Sequence, residues 1–366
     1  PMLTKTFKLF KILHILNLFM APTKRTSTAL SASMITSIPR VSPPMTKKTK
    51  ITEECLLDLG ADLVEAQVLR RPSARNRSPY VADAKLIDGR EVIVHMPSMD
   101  MGGKAGPGQN ILVRVLRDKK GNPVAADAKG QYDTPKCQFA SQLCKVEDPE
   151  SVVLTQRSTV WIGAHPKLGE DIAEKLITQL FPQATNIRKQ VNIIPGTRLD
   201  FALDFENTEK TLLLEIKTVV DTDYDPSLKK DHTARSHLKS IFYGEKEKEY
   251  QRAAIFPWGQ AKQTTPEGEK CVSARAIKHL RDLIKCQSKQ SYDTAVLFVV
   301  VRDDVVSFRP NHEACPVFTR VLQEAQDAGV SLLAHRIRWG LKESGDVSTY
   351  CAFDAGSIPI SFPPSL

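Results

Sequence analysis

Two neighbouring segments of the chain alternate apolar and polar residues in the way that β-strands do. In residues 198–205 every second side chain is apolar, namely Leu199, Phe201, Leu203 and Phe205. In residues 211–220 charged side chains interrupt a mainly apolar run only at Glu215 and Lys217. Because successive side chains of a strand point to opposite faces, this spacing predicts two strands that share a buried face.

An antiparallel pairing of these strands buries both apolar sets together. With a turn at Asn207 and Thr208, three apolar pairs face one another: Leu203 with Leu212, Phe201 with Leu214, and Leu199 with Ile216. The same register sets Asp200 opposite Glu215, and Lys217 lies two positions further along that face. We therefore predict that two carboxylates and one ammonium group converge where a buried strand normally carries Val or Leu.

The remaining pattern predicts an α/β protein. Residues 63–148 show short strands separated by glycine-containing turns, typical of a small Greek-key barrel, with strands predicted at 80–86, 91–96 and 111–116. From residue 152 onward helices and strands alternate, with helices predicted at 170–180, 273–286 and 318–328 and strands at 294–301 and 331–337. This order favours a mixed sheet flanked by helices. The predicted divisions are a leader at 1–50, a first domain at 51–148 and a second at 149–362, in which a charged insertion at 221–254 is expected to be solvated.

Charge is unevenly distributed along the chain. The formal net charge is +9, but residues 1–50 carry nine Lys or Arg and no Asp or Glu, which leaves 42 residues of each sign in the remainder. The predicted globular part is formally neutral, so any attraction to phosphate must come from local patches.

The acid-free leader resembles a targeting sequence. The apolar stretch at 9–21 is too short and too interrupted to span a bilayer, so we expect no membrane partner for the mature chain. As an amphipathic segment followed by a Ser/Thr-rich stretch, it is typical of an organellar transit peptide, which predicts a plastid or mitochondrial location. A secretory apolar region, a misassigned translation start and a fragment beginning at Pro1 are the alternatives.

Seven cysteines are present, an odd number without any C-x-x-C motif. This count indicates neither a zinc site nor a disulfide framework. Cys137 and Cys144 could share a metal, but we favour buried free thiols at both positions.

The predicted cluster of Asp200, Glu215 and Lys217 has a chemical use. Two carboxylates can hold Mg²⁺ or Mn²⁺, hard cations that prefer oxygen ligands. Such a cation acidifies a bound water and polarises a phosphodiester, while Lys217 orients the nucleophile or neutralises developing charge. Without a metal, the facing carboxylates should raise each other's pKa. The alternative is a solvent-facing hairpin in which Glu215 and Lys217 form an ordinary surface ion pair.

Two groups of basic residues are candidates for nucleic-acid contact. The first precedes a predicted strand and consists of Arg70, Arg71, Arg75 and Arg77; phosphate contact and a solvated loop are equally compatible with it. The second lies on the outward face of the helix predicted at 273–286 and consists of Arg275 and Lys278.

Several separated motifs occur in a fixed order along the chain. They are D-G-R-E at 88–91, H-x-P at 95–97, R-L-D-F at 198–201, E-I-K at 215–217, F-P at 256–257, R-x-x-K-H-L at 275–280, F-x-P at 308–310 and L-x-E-A-x-x-x-G-V at 322–330. Through them, residues 63–362 resemble the bacterial sugar fermentation stimulation protein A family. The resemblance implies an N-terminal OB-like β-barrel, a C-terminal PD-(D/E)XK nuclease-like domain and DNA binding with a regulatory link to sugar utilisation.

The same resemblance implies roles for individual residues. By the superfamily pattern, Asp200 and Glu215 would be metal ligands, Lys217 the catalytic lysine and Glu170 a further acid on a helix. The leading hypothesis is a DNA-binding protein with a nuclease-type Mg²⁺ or Mn²⁺ site that cleaves phosphodiester bonds. A non-catalytic DNA-binding regulator is the second hypothesis, and a structural or metabolic protein that uses the fold for neither purpose is the third.

Overall fold

The computed structural model describes residues 54–98, 101, 104–130, 133–147, 154–228, 241–244, 249–289 and 291–363. The predicted leader, residues 1–50, lies outside the described residues, so its targeting role stays a prediction. Among the described helices, none combines the length and the apolar character needed to cross a lipid bilayer.

Within these residues the chain forms eighteen strands and three α-helices. The first seven strands are β1 (Cys55–Asp58), β2 (Leu63–Arg70), β3 (Val81–Leu86), β4 (Glu91–His95), β5 (Asn110–Val115), β6 (Phe139–Val146) and β7 (Val160–Gly163). The next seven are β8 (Ala184–Ile194), β9 (Thr197–Phe205), β10 (Thr208–Val219), β11 (Asp221–Thr222), β12 (Ala253–Phe256), β13 (Gln263–Thr264) and β14 (Lys270–Cys271). The last four are β15 (Tyr292–Val300), β16 (Ser307–Pro310), β17 (Ser331–Ser344) and β18 (Val347–Ser357). The helices are α1 (Lys167–Leu180), α2 (Ala274–Gln287) and α3 (Pro316–Asp327).

Strands β2 to β6 close into a barrel, as the sequence predicts. Neighbouring strands pair antiparallel in the order β4-β3-β2-β5-β6. A parallel pairing of Val94 with Phe139 and of His95 with Ala140 joins β4 to β6 and closes the ring. Alternate side chains fill the interior, so that Val68, Ile111 and others are buried there in one apolar cluster.

A seven-stranded mixed sheet follows, in the order β1-β18-β17-β15-β10-β9-β8. The central strands β10, β15 and β17 run parallel to one another. Helix α1 packs on one face together with apolar residues of the barrel, and α2 and α3 pack on the other face. This arrangement confirms the predicted α/β class with a helix-flanked mixed sheet. The strand predicted at 331–337 is longer than expected, because it continues to Ser344 and returns as β18.

The barrel and the large sheet share segments of chain. Strand β1, which the sequence assigns to the first domain, pairs with β18 at the edge of the seven-stranded sheet. Strand β7, which the sequence assigns to the second domain, pairs with β6 of the barrel. A buried ion pair of 2.7 Å between Lys104 Nζ and Asp221 Oδ1 also connects a barrel loop to the segment after β10.

The described ends of the charged insertion at 221–254 are not solvated as we expected. Its described ends carry side chains that are almost fully buried, namely Asp221, Asp223, Tyr224 and Arg252. Buried charge is tolerated here because opposite charges meet: Asp223 accepts from Arg309 Nε at 2.8 Å, and Arg252 donates to Asp304 at 2.9 Å. Composition alone could not distinguish this network from a solvated loop, since equal numbers of acids and bases are compatible with both.

The hairpin of β9 and β10 has the predicted register in its apolar part. Leu203 pairs with Leu212 and Phe201 with Leu214. The predicted turn is wrong by one position, because Thr208 already pairs with Phe205 and the turn consists of Glu206 and Asn207. An irregularity between Thr208 and Leu212 then restores the predicted register.

One predicted side-chain direction is also wrong. Leu199 packs with the α2 and α3 cluster, whereas Phe201 packs with the α1 cluster, so these two residues do not share a face. Between the flanking pairs Lys189–Phe201 and Val191–Leu199, Gln190 has a φ of 53°, in the left-handed region. Gln190 lies on the neighbouring strand β8, and the alternation of side chains along β9 is interrupted between Leu199 and Phe201.

Helix α1 approaches β10 unusually closely at its first turn. A Cβ atom at Gly169 would overlap Thr218 Oγ1 and lie 2.8 Å from Thr218 Cβ. Thr218 Oγ1 also donates to the Pro166 carbonyl at 3.3 Å. Only glycine fits this contact, which fixes the start of α1, including Glu170, beside the strand that carries Lys217.

We predict that Gly169→Ala destabilises the protein by about 2 kcal/mol, because the added methyl group overpacks the contact. The direction of the change in stability is informative, since a Gly→Ala change at an open helical position stabilises a protein by about 1 kcal/mol. Urea unfolding measures the difference, with Lys175→Ala on the exposed face of α1 as the neutral control. Thr218→Ala in the same chain should recover part of the loss, and a stabilised Gly169→Ala variant would contradict the close contact.

Candidate metal and nucleic-acid site

Glu215 lies at the centre of the large sheet. Strand β10 has β9 on one side and β15 on the other, and the side chain of Glu215 is only 2% exposed. Leu213 and Val219, which share its face of the strand, pack with the α2 cluster. The alternative of a surface ion pair between Glu215 and Lys217 is therefore wrong.

The two oxygens of Glu215 have different surroundings. Oε1 contacts both Lys217 Nζ and His279 Nδ1, and His279 is almost fully buried on α2. His279 Nε2 lies 3.4 Å from Arg275 Nε, which donates to it. The ring therefore accepts at Nε2 and donates from Nδ1 to Glu215. Oε2 is buried and has no hydrogen-bond partner among the described residues.

Asp200 is held beside Glu215 by the backbone of β10. Its Oδ2 accepts a hydrogen bond of 2.8 Å from the Ile216 N–H. Burial raises the pKa of Asp200, and the charge of Glu215 raises it further; the Ile216 N–H and Lys217 oppose this rise, and Glu170 adds to it. The predicted electrostatic proximity of Asp200, Glu215 and Lys217 is present in the structure.

The expected rise in pKa does not extend to Glu215. Burial alone would raise its pKa, but the hydrogen bond from His279 and the charge of Lys217 outweigh burial and lower it. The prediction was wrong because it omitted His279. A signal for this residue was available, since His279 follows Ala276 by three positions and precedes Leu283 by four, on the buried stripe of α2.

Glu170 lies in the first turn of α1 with an exposed side chain. It influences the pKa of Asp200, but the carboxylates of Asp200, Glu215 and Glu170 do not bring three ligand atoms within 4.8 Å of one another. The described arrangement thus offers two neighbouring carboxylates, Asp200 and Glu215, with Glu170 further away. Mg²⁺ commonly uses one or two carboxylates and completes its shell with water.

The four arginines near β3 divide into two kinds. Arg71 donates to four backbone carbonyls, those of Pro79, Met96, Ser98 and Ala105, and thereby holds barrel loops together. Arg75 pairs with Asp83 at 3.1 Å. Arg70 and Arg77 are exposed and have no described partner. They are the members of the group that are free to contact phosphate.

The two basic residues on α2 are partly engaged by the protein. Arg275 contacts His279, as described above. Lys278 Nζ donates to the Gly196 carbonyl at 3.2 Å and to Asp282 at 2.8 Å, and it also contacts Thr197. Both side chains start from exposed positions on the helix.

The closed barrel and the helix-flanked mixed sheet with central acids define an α/β protein with an N-terminal β-barrel. The model of the sugar fermentation stimulation protein RE domain matches residues 270–343, a range that contains Arg275, Lys278 and His279 but not Asp200 or Glu215. The chain is thus similar to proteins of the sugar fermentation stimulation family, both in this domain and over most of its length.

Its relatives share most of its length. A sugar fermentation stimulation protein homolog from Desulfotalea psychrophila is 23% identical over 285 residues, covering 76% of this chain and 90% of the relative. A homolog from a Geobacter species is 27% identical, covering 72% of this chain and 87% of the relative. The structure of Pyrococcus furiosus SfsA in complex with Ca²⁺ matches with a TM-score of 0.53 and 16% identity, covering 84% of this chain and 99% of that one. This likeness supports the fold.

We predict opposite stability effects for the two central carboxylates in the absence of divalent cations. The pKa of Asp200 is raised by folding, so ionising it lowers stability as pH rises above its ordinary value of 3.8. The Asp200→Asn variant should therefore be at least as stable to unfolding as the wild type at pH 7. Any gain in stability should shrink as pH falls towards 3.8. The pKa of Glu215 is lowered, so its stabilisation is present above the ordinary value of 4.5 and is lost as pH falls. The Glu215→Gln change should lower the free energy of unfolding by about 3 kcal/mol at pH 7, since it leaves Lys217 without its buried partner.

Urea unfolding in EDTA at pH 7 and at pH 4 measures both effects. Glu209→Gln, at an exposed position of the same strand, is the control and should change stability by less than about 0.5 kcal/mol. A strongly destabilised Asp200→Asn variant would show that Asp200 is an essential structural acceptor for the Ile216 N–H.

Proposed function

We propose that this protein binds DNA and cleaves its phosphodiester bonds at a site that holds Mg²⁺ or Mn²⁺ between Asp200 and Glu215. The proposal rests on one observation above the others: Glu215 Oε2 is buried beside Asp200 without a hydrogen-bond partner among the described residues. An unpaired buried carboxylate oxygen costs free energy unless a cation or water satisfies it.

The donor set fits a hard divalent cation. Both candidate ligands are carboxylates, and burial together with the charge of Glu215 raises the pKa of Asp200, a destabilisation that a bound cation would relieve. The Ca²⁺ complex of the Pyrococcus furiosus relative supports the same chemical class of ligand. When bound, the cation would acidify a water molecule and polarise the scissile phosphate.

Three residues of the chain would prepare this chemistry. Lys217 places a positive charge next to Glu215, where it can stabilise negative charge that develops on the phosphate. His279 fixes the rotamer of Glu215 through Oε1, which leaves Oε2 directed to the cation. Arg275 selects the tautomer of His279 that donates to Glu215.

A non-catalytic DNA-binding regulator is the second candidate function. The contact between Lys217 and Glu215 Oε1 favours it, because an ammonium group that is already paired is less available to a phosphate. Both candidate functions include DNA binding, but only the nuclease cleaves DNA. DNA cleavage by Lys217 variants therefore distinguishes the two.

We expect the purified protein to bind Mn²⁺ by calorimetry and to nick supercoiled DNA in its presence. Lys217→Ala should retain the metal but lose at least about a hundredfold in cleavage, since it removes a group that acts in the transition state. Lys210→Ala, at a half-buried lysine near the start of the same strand that pairs with Asp293, is the matched control for both measurements. DNA binding with Mn²⁺ affinity but without Lys217-dependent nicking would establish the regulator, and absence of Mn²⁺ binding would reject the metal site.

We also expect Arg70 and Arg77 to contact DNA phosphates. Changing both to Ala should weaken binding to all sequences and reduce the slope of log Kd against log salt by about one unit per lost contact. Fluorescence anisotropy with labelled duplex DNA at several salt concentrations measures this slope. The control is the double variant Lys119→Ala and Lys120→Ala, which removes two exposed charges from another barrel loop. An unchanged slope in the Arg70 and Arg77 double variant would remove this face from the interface.

A further inference from the structure

A second group of potential metal ligands lies away from the central acids, at the edge of the large sheet. Cys55 and Asp58 lie on β1, and Cys351 lies on the adjacent strand β18. The Sγ atoms of both cysteines and a carboxylate oxygen of Asp58 all lie within 4.8 Å of one another. Among the described residues, no other set of three Cys, His, Asp or Glu ligand atoms is so close.

The strand pairing explains why these three side chains meet. Asp58 lies directly opposite Cys351, and Cys55 lies opposite Phe353. Cys55 and Cys351 are therefore diagonal neighbours across the two strands, a relation that places both on one face of the sheet. An irregularity of register between Cys55 and Leu57 adjusts the spacing between Cys55 and Asp58.

The carboxylate of Asp58 is fixed in position by its neighbours. Its Oδ1 accepts a hydrogen bond of 2.8 Å from the Gly60 N–H, and its Oδ2 accepts one of 3.1 Å from Thr349 Oγ1. Thr349 Oγ1 also lies 3.9 Å from Cys351 Sγ, so one hydroxyl group touches two of the three candidate ligands. Hydrogen bonds of this kind orient the ligands of metal sites.

From this arrangement we propose that Cys55, Asp58 and Cys351 form a binding site for a thiophilic divalent cation of the Zn²⁺ class. In a tetrahedral zinc site two ligand atoms lie about 3.6–3.8 Å apart, since Zn–S bonds are about 2.3 Å and Zn–O bonds about 2.1 Å long. The three atoms, all within 4.8 Å of one another, would reach this separation if each pair closed by at most about 1 Å. Three protein ligands leave one tetrahedral position for water.

The surroundings provide both access and selectivity. Asp58 is exposed, Cys55 is half-buried and Cys351 is buried, so the site opens to solvent on the Asp58 side. Two thiolates favour Zn²⁺ over Mg²⁺, whereas the oxygen ligands of Asp200 and Glu215 favour Mg²⁺. The two sites would therefore be occupied by different metals.

A disulfide between Cys55 and Cys351 is the competing use of the same residues. Both cysteines are free thiols in the structure. Burial and the neighbouring Cys55 raise the pKa of the Cys351 thiol to about 12. Coordination to a cation deprotonates a thiol outright, so the same burial does not prevent metal binding.

Cobalt substitution of the full chain tests the site. We expect one equivalent of Co²⁺ to produce thiolate-to-cobalt charge-transfer absorption and one equivalent of Zn²⁺ to abolish it. Cys351→Ser and Cys55→Ser should each weaken Zn²⁺ binding at least tenfold and remove most of this absorption. Cys137→Ser, at a half-buried cysteine outside the site, is the matched control and should behave like the wild type.

Asp58→Asn provides a second variant that preserves the fold, because the side chain is exposed and an amide oxygen can still accept from the Gly60 N–H. It should keep the charge-transfer absorption and weaken Zn²⁺ binding about tenfold. An unchanged cobalt spectrum in both cysteine variants, an absence of Zn²⁺ binding to the wild type, or a Cys55–Cys351 disulfide in protein prepared with Zn²⁺ would each overturn the proposal. Loss of Mn²⁺-dependent cleavage in Lys217→Ala leaves these results unaffected, so the two sites fail or succeed independently.

Discussion

A carboxylate in the central strand of the large sheet must be compensated, and much of the architecture around it meets this requirement. Burying the Glu215 charge without partners would cost several kcal/mol. Lys217 on the same strand and His279 on α2 share its Oε1, so the position and rotation of α2 are tied to the sheet through a polar contact as well as through apolar packing. The remaining oxygen, Oε2, is the point at which the site can accept a ligand.

The sequence was sufficient to predict the parts of this site that depend on strand periodicity. Leu203, Leu212, Phe201 and Leu214 pair as expected, since a shift of one residue would expose both apolar sets. It was not sufficient for Leu199, which packs in the α2 and α3 cluster although Phe201, two positions further along β9, packs in the α1 cluster. A single sequence gives little warning of such a break in the alternation of side chains along a strand.

His279 and Arg71 show a second limit of prediction. Both contribute through contacts with distant parts of the chain: His279 with Glu215, and Arg71 with the carbonyls of two barrel loops. A histidine on a buried helical stripe is indistinguishable from an ordinary core residue until its partner strand is placed. In a basic cluster, an arginine that holds loops together is likewise indistinguishable from one that binds phosphate. Only the hydrogen bonds that its N–H groups make within the folded protein reveal the difference. The triad of Cys55, Asp58 and Cys351 was hidden for the same reason, since its members come from opposite ends of the described chain.

The pairing of β1 with β18 also constrains the order in which the molecule can assemble. During synthesis β1 leaves the ribosome before every other described strand, whereas β18 leaves after all of them. The backbone groups of β1 thus obtain their sheet partner only after β18 has been synthesised. Before β18 is made, the apolar cluster that buries Leu56 is incomplete. The sheet edge that β18 later covers can meanwhile pair with strands of other chains. The sheet can therefore be completed at this edge only in a chain that extends from β1 through β18.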